Sequence, residues 1–121
     1  MMTAPGRTLL LGTLNPDGSY TGITAAVGSV AVDVRGLFYL TVYLESAGAI
    51  TGGTIVVEEA ARPDFSGTWS QVTSVSASGL TGGAGQAIHL TPAAYGYVRV
   101  RVTVTIAGGG TLVAFLSTQG T

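Results

Sequence analysis

Apolar and polar residues alternate along most of this chain, and nowhere do apolar residues recur at helical spacing. The most regular run is "YGYVRVRVTVTI" at 95–106. There Val98, Val100, Val102, Val104 and Ile106 share one face, and Tyr97, Arg99, Arg101, Thr103 and Thr105 share the other. "LFYLTVYLE" at 37–45 repeats the pattern, with Phe38, Leu40, Val42 and Leu44 against Tyr39, Thr41, Tyr43 and Glu45. A period of two is that of a strand buried on one side. Shorter runs at 7–13, 20–27, 29–35, 53–60, 68–76, 86–90 and 111–118 predict further strands. Turn chemistry separates them: "NPDG" at 15–18, "RPDFSG" at 62–67, "GLTGGAG" at 79–85 and "AGGG" at 107–110.

About eight short antiparallel strands in one domain spanning 1–121, with 1–6 as a short N-terminal arm, predict an all-β fold. The expected architecture is a single two-sheet β-sandwich, with a jelly-roll-like winding as one form of it and a small closed barrel as the alternative. The apolar halves of the two most regular strands, Val98, Val100, Val102 and Val104 with Phe38, Leu40, Val42 and Leu44, are expected to meet between the sheets. The last strand breaks the rule. Leu112, Ala114 and Leu116 alternate with Val113 and Phe115, so both of its faces are apolar and a third layer must cover one of them. A partner subunit is one candidate for that layer.

Charge changes the picture. Only 9% of residues are charged and the net charge is −1, against about 25% charged in ordinary soluble domains. Bulk attraction to nucleic acid or to an acidic membrane is not expected. No apolar run approaches the ~18 residues of a membrane helix, and the N-terminal stretch lacks the layout of a secretory leader. With no cysteine, disulfides and thiolate metal sites are excluded. The low charge fits either a surface covered by other subunits or one solvated by Ser, Thr, Gly and Gln.

Candidate chemistry is sparse. His89 is the lone histidine, with no partner for a metal or a catalytic base. Glu58 and Glu59 are adjacent, so a regular strand sends them to opposite faces, a poor arrangement for a paired-acid site. One of them then points coreward, which marks a strand end, a bulge or a pair with arginine. No serine lies in a nucleophile elbow, and no glycine cluster leads into a phosphate loop. Asp17 and Asp64 are turn residues, too few to hold calcium. Trp69 reads as core or corner packing before it reads as a sugar-stacking platform. No enzyme, cofactor or metal site is expected. What remains is a set of interface residue types: Tyr39, Tyr43, Tyr97, Arg99 and Arg101 on outward positions, with Val113 and Phe115 on the doubly apolar strand.

"GGTIVVEEA", then "FSGTWSQV", then "AIHLTPAAYGYVRVRVTVTIAGGGTLVAFLS" resembles small β-sandwich virion proteins of tailed bacteriophages over about residues 30–118. In that pattern a strand ending in acids leads through a loop to "G-T-W", and a Gly-turned hairpin opens on an aromatic followed by "V-R-V-R-V". The resemblance implies a non-enzymatic structural protein of the virion, assembled in the host cytoplasm. Its first expected role is a capsid decoration (cement) protein that binds the major capsid protein or other virion proteins and forms homo-oligomers. A tail, neck or head-fibre accessory role is the alternative within the same family. No nucleic acid or membrane is expected as partner. From a different class, the tyrosines and Trp69 allow a glycan-binding adhesion module, for which open aromatics at one end of the sandwich would speak.

Overall fold

The computed structural model describes residues 6–37, 39–90 and 95–119. They form ten strands: β1 (Gly6–Leu11), β2 (Thr13–Leu14), β3 (Tyr20–Thr21), β4 (Val32–Asp33), β5 (Tyr39–Ala47), β6 (Gly52–Ala60), β7 (Ser70–Ser76), β8 (Gly85–His89), β9 (Tyr97–Ala107) and β10 (Thr111–Gln119). A 3₁₀ turn, Ala77–Leu80, joins β7 to β8. The front sheet has the order β1-β10-β5-β8 and the back sheet β4-β9-β6-β7, every pair antiparallel. The pairing is nested: β1 with β10, β4 with β9, β5 with β8, β6 with β7. A long hairpin rolled into two packed sheets pairs its strands in this way, and that is the jelly-roll winding. The fold is the all-β two-sheet sandwich that the alternation predicts. Residue 6, assigned to the arm, opens β1; the rest of the arm lies outside the described residues.

The inter-sheet core is built from alternate positions. Leu40, Val42 and Leu44 of β5 and Leu112, Ala114 and Leu116 of β10 meet Val98, Val100 and Val102 of β9 and Ile55 and Val57 of β6. Phe38, expected among them, lies outside the described residues. Val104 does not join them and is 55% exposed. The cause is local register. Thr54 pairs with Val104 and Ile55 with Val102, while Gly52 pairs with Ala107, so β9 carries extra residues opposite β6. Such bulges reset the alternation, and Ile106 re-enters the core at 4% exposure. Gly53 makes room for it. Its φ is +129°, and a Cβ there would lie 2.8 Å from Ile106 Cδ1.

Residues 20–35, expected to form two strands, do something else. Tyr20–Thr21 closes a small hairpin with Thr13–Leu14. Within it Gly18 N donates to Asn15 O (3.0 Å), and the Asp17 carboxylate accepts from Ser19 N and Oγ. Ile23 then bridges to Leu112 of the front sheet. Directly afterwards Thr24 O accepts from Ile106 N, and Val27 O from Val102 N, in the back sheet. The segment thus crosses from one sheet to the other and closes the side of the sandwich, at the expense of strand regularity.

Candidate functional site

Three places collect the polar and aromatic side chains that the core does not use: the outer face of each sheet, and one end of the sandwich.

On the front face the predicted interface residues divide. Tyr39 is 61% exposed and Tyr43 39%. Thr41 Oγ1 meets His89 Nδ1 at 3.0 Å, so the lone histidine is an exposed strand residue paired across β5 and β8. Val113 and Phe115 are buried, although neither belongs to the inter-sheet core. This chain itself supplies a layer over them. The β2–β3 hairpin brings Tyr20 edge-on to Phe115, with ring centroids 5.0 Å apart, and the Arg7 guanidinium lies 5.0 Å from the same ring. Gly12 sets the hairpin in place. It has φ +109°, and a Cβ there would sit 2.9 Å from Thr21 O and 3.4 Å from Val113. Offered as interface candidates, Val113 and Phe115 are therefore already covered.

On the back face Arg99 and Arg101 converge on one carboxylate. Arg99 Nε donates to Glu58 Oε1 at 3.0 Å, and Arg101 donates through Nε to Oε1 (3.1 Å) and through Nη2 to Oε2 (2.9 Å). Glu58 is 4% exposed. The Arg101 hydrogen bonds hold its carboxyl below the usual glutamate range; burial opposes this, and the Arg99 bond adds to it. Regular alternation in β6, with Ile55 and Val57 in the core, turns Glu58 to this face opposite Arg99 and leaves Glu59 near the strand end; the extra residue at the neighbouring register shift, Val72, belongs to β7. Of the readings open for the adjacent acids, an arginine pair applies to Glu58 and a strand end to Glu59. Trp69 is buried, donates Nε1–H to Phe65 O (2.9 Å), and holds the Arg99 guanidinium 4.1 Å from its ring centroid. It is corner packing, not an open platform.

At the end of the sandwich the turn after β4, the end of β6 and the approach to β9 surround an open cleft of about 660 Å³. Arg35, Leu37, Glu59, Ser70 and Tyr95 line it. Asp33 shapes one wall. It accepts from Arg35 N (3.1 Å), Nε (2.9 Å) and Nη2 (2.8 Å), which holds its carboxyl down at about 2. The Arg35 guanidinium lies 5.1 Å from the half-buried Tyr97 ring, so Tyr97 stands behind the cleft wall. Tyr95 packs against the core. Burial, with the Glu59 charge, pushes its phenol up. A second hollow of about 350 Å³ shares Glu59, Ala60, Ala61 and Ser70 and adds Arg62, Thr68 and the exposed ring of Phe65.

The cleft thus offers one carboxylate, one guanidinium, hydroxyls and aromatic edges. Its described lining has no histidine and no second carboxylate, and no group of three His, Cys, Asp or Glu among the described residues could hold a metal. Such a lining can donate and accept hydrogen bonds and offer an apolar ring surface to a ligand. Neither Glu59 nor Tyr95 is legible as a site residue in the sequence. Glu59 reads as the partner of Glu58, and Tyr95 as one more outward tyrosine. Only the pairing of the end of β6 with the start of β9 brings them together.

No family model and no curated protein matches this sequence. Among solved structures, the chain is similar to the C-terminal CBM6 of a marine laminarinase from Zobellia galactanivorans (11% identity, 92% of this chain and 90% of that one, TM-score 0.48). It is similar to a family two carbohydrate esterase from Cellvibrio japonicus (22% identity, 97% of this chain and 31% of that one, TM-score 0.48). It is also similar to a glycoside hydrolase family 43 arabinoxylan arabinofuranohydrolase from Bacillus subtilis (15% identity, TM-score 0.46) and spans 28% of that chain's length. At these identities and scores no residue role passes from those proteins to this one.

Proposed function

We propose that this chain is a non-catalytic recognition module that holds a glycan in the end cleft. The observation that carries the reading is the convergence of Glu59, Ser70, Tyr95 and Arg35 on one open space of about 660 Å³. A sugar ring presents adjacent hydroxyls around its rim and C–H groups on its faces. The Glu59 carboxylate accepts hydrogen bonds from two neighbouring hydroxyls, Ser70 and Arg35 supply donors, and the Tyr95 ring takes an apolar face. Hydrogen bonds to a charged group contribute about 1.5–3 kcal/mol each, while an open cleft orders the ligand at a cost. Affinities of about 1 mM to 1 µM follow, or −4 to −8 kcal/mol. Binding to a panel of neutral oligosaccharides, followed by calorimetric titration, tests this. Glu59→Gln is expected to weaken the best ligand by about tenfold without lowering the melting temperature. A panel with no binder, or a Glu59→Gln variant that binds as the parent does, would sink the reading.

A second reading, the virion subunit that the sequence resemblance implies, is favoured by one observation. Leu14 (56%), Val27 (43%), Val30 (71%) and Val104 (55%) are exposed in a chain with few charges to keep it apart from its neighbours. Cosedimentation with assembled phage shells distinguishes it, since a glycan module has no reason to saturate a capsid lattice.

A further inference from the structure

The arginine–carboxylate cluster on the back face is not electrically balanced. On this face Arg99 and Arg101, two of the chain's five arginines, share one acid, Glu58. The protein as a whole is net negative, so the excess positive charge is local.

The imbalance has a definite address. Arg101 uses Nε and Nη2 on Glu58, whereas Arg99 uses Nε alone. Neither terminal nitrogen of Arg99 makes a hydrogen bond to a described residue. No buried polar side-chain atom among the described residues lacks a partner, so these nitrogens open to solvent, and the side chain is 26% exposed. Behind them the guanidinium carbon rests 4.1 Å from the Trp69 ring centroid, and the indole is itself fixed by its bond to Phe65 O. A guanidinium anchored through Nε and backed by an aromatic ring presents its outer N–H pair already oriented. Two parallel N–H groups match the two oxygens of a carboxylate.

We infer that the outer edge of Arg99, backed by Trp69 and flanked by Arg101, is a subsite for a carboxylate, carried by an acidic sugar adjoining the one in the end cleft. The carboxylate chemistry stands on this geometry alone; the sugar as its carrier rests on the glycan reading above. Position supports the link. Tyr97, two residues before Arg99 on the same face, stacks with Arg35 of the cleft wall, and two strand residues span about 7 Å, the width of a sugar ring. Trp69 also precedes Ser70, which lines the cleft.

Trp69 is the only tryptophan, so its fluorescence reports this subsite without a label. The test titrates three probes: a glucuronate-terminated oligosaccharide, its neutral glucose-terminated counterpart, and sodium acetate. Each is titrated into the parent chain and into Arg99→Gln, with folding checked by thermal melting. The acidic oligosaccharide is expected to bind about tenfold more tightly than the neutral one and to shift Trp69 emission. Arg99→Gln is expected to erase that preference while keeping the neutral affinity. Comparison of the two sugars on the parent chain remains decisive if the variant fails to fold. Equal affinity for both sugars would overturn the subsite and leave the glycan reading standing. An acetate response that depends on Arg99, with neither sugar binding, would keep the carboxylate site and remove sugar as its carrier. Silence from all three probes would overturn both.

Discussion

The outer faces of the two sheets withdraw apolar surface from water by different means. On the front sheet the doubly apolar β10 is covered by a separate piece of chain, the β2–β3 hairpin, whose Tyr20 sits on Phe115. On the back sheet no such layer of described residues lies over Arg99 and Arg101. Arginine and glutamate from adjacent strands fold down over Val56 and Trp69, both about 5% exposed or less. Hydrocarbon stems and a stacked guanidinium shield the apolar residues while the charged heads neutralise one another. The first device seals its face. The second leaves donor edges at the surface, and so keeps the face available for binding.

The largest expected effect tests the first device. Phe115→Ala removes the ring that Tyr20 and Arg7 rest on and is expected to cost about 3 kcal/mol, the low end of the Phe→Ala range, because a two-strand hairpin can settle into the space. Chemical denaturation measures it. A loss below about 1 kcal/mol would mean that the hairpin does not serve as a third layer.

A smaller loss is expected on the back face. Glu58→Gln leaves two arginines without their anion. Breaking a fully buried pair costs about 3–5 kcal/mol, but the Arg101 side chain is 42% exposed and the Arg99 side chain 26%, so water recovers part of the loss. About 2 kcal/mol is expected. The sign with pH follows from the depressed carboxyl of folded Glu58. Near the ordinary glutamate value of about 4.3 the unfolded chain binds the proton more readily, so stability rises with pH there. The contribution is complete well above that value and is lost as pH falls through it towards the folded one. The gap between the parent chain and Glu58→Gln should therefore close in acid. A gap of constant size from neutral pH to pH 3 would show that the carboxylate charge is not what the two arginines hold.

How much of this could be read in the sequence depends on range. The period of two in β5 and β9 specifies the sheets, because alternation is a property of neighbouring residues. It yields the core positions of Leu40, Val42, Leu44, Val98, Val100 and Val102 directly. It fails at Val104, where a bulge opposite Gly52–Thr54 depends on strand pairing. The need for a third layer over Val113 and Phe115 was also legible. Its source was not, since the covering residue, Tyr20, is far away in sequence and sits in a run that alternates like any strand. Likewise "VRVR" gives two arginines on one face and alternation in β6 gives Glu58 an outward position, but only the pairing of β6 with β9 sets Glu58 opposite Arg99. Glu59 enters the cleft through the same pairing, beside the approach to β9. Sites assembled by long-range strand pairing and sheet crossings leave little local trace.

The smallest expected effect marks where the hairpin layer ends. Tyr39 lies on the same outer face as Tyr43, opposite the last residue of β10, yet it is 61% exposed, with no ring contact to the hairpin. Tyr39→Ser should therefore change stability by no more than about 0.5 kcal/mol, as exposed substitutions do. Serine keeps a hydroxyl and removes the ring, so the comparison isolates the aromatic surface. Measured beside Phe115→Ala, it gives the ratio of a covered to an open aromatic on one sheet face. A loss above about 1 kcal/mol that grows with protein concentration would point instead to a second copy lying over Tyr39. The front face would then be sealed twice, once by its own hairpin and once by its neighbour.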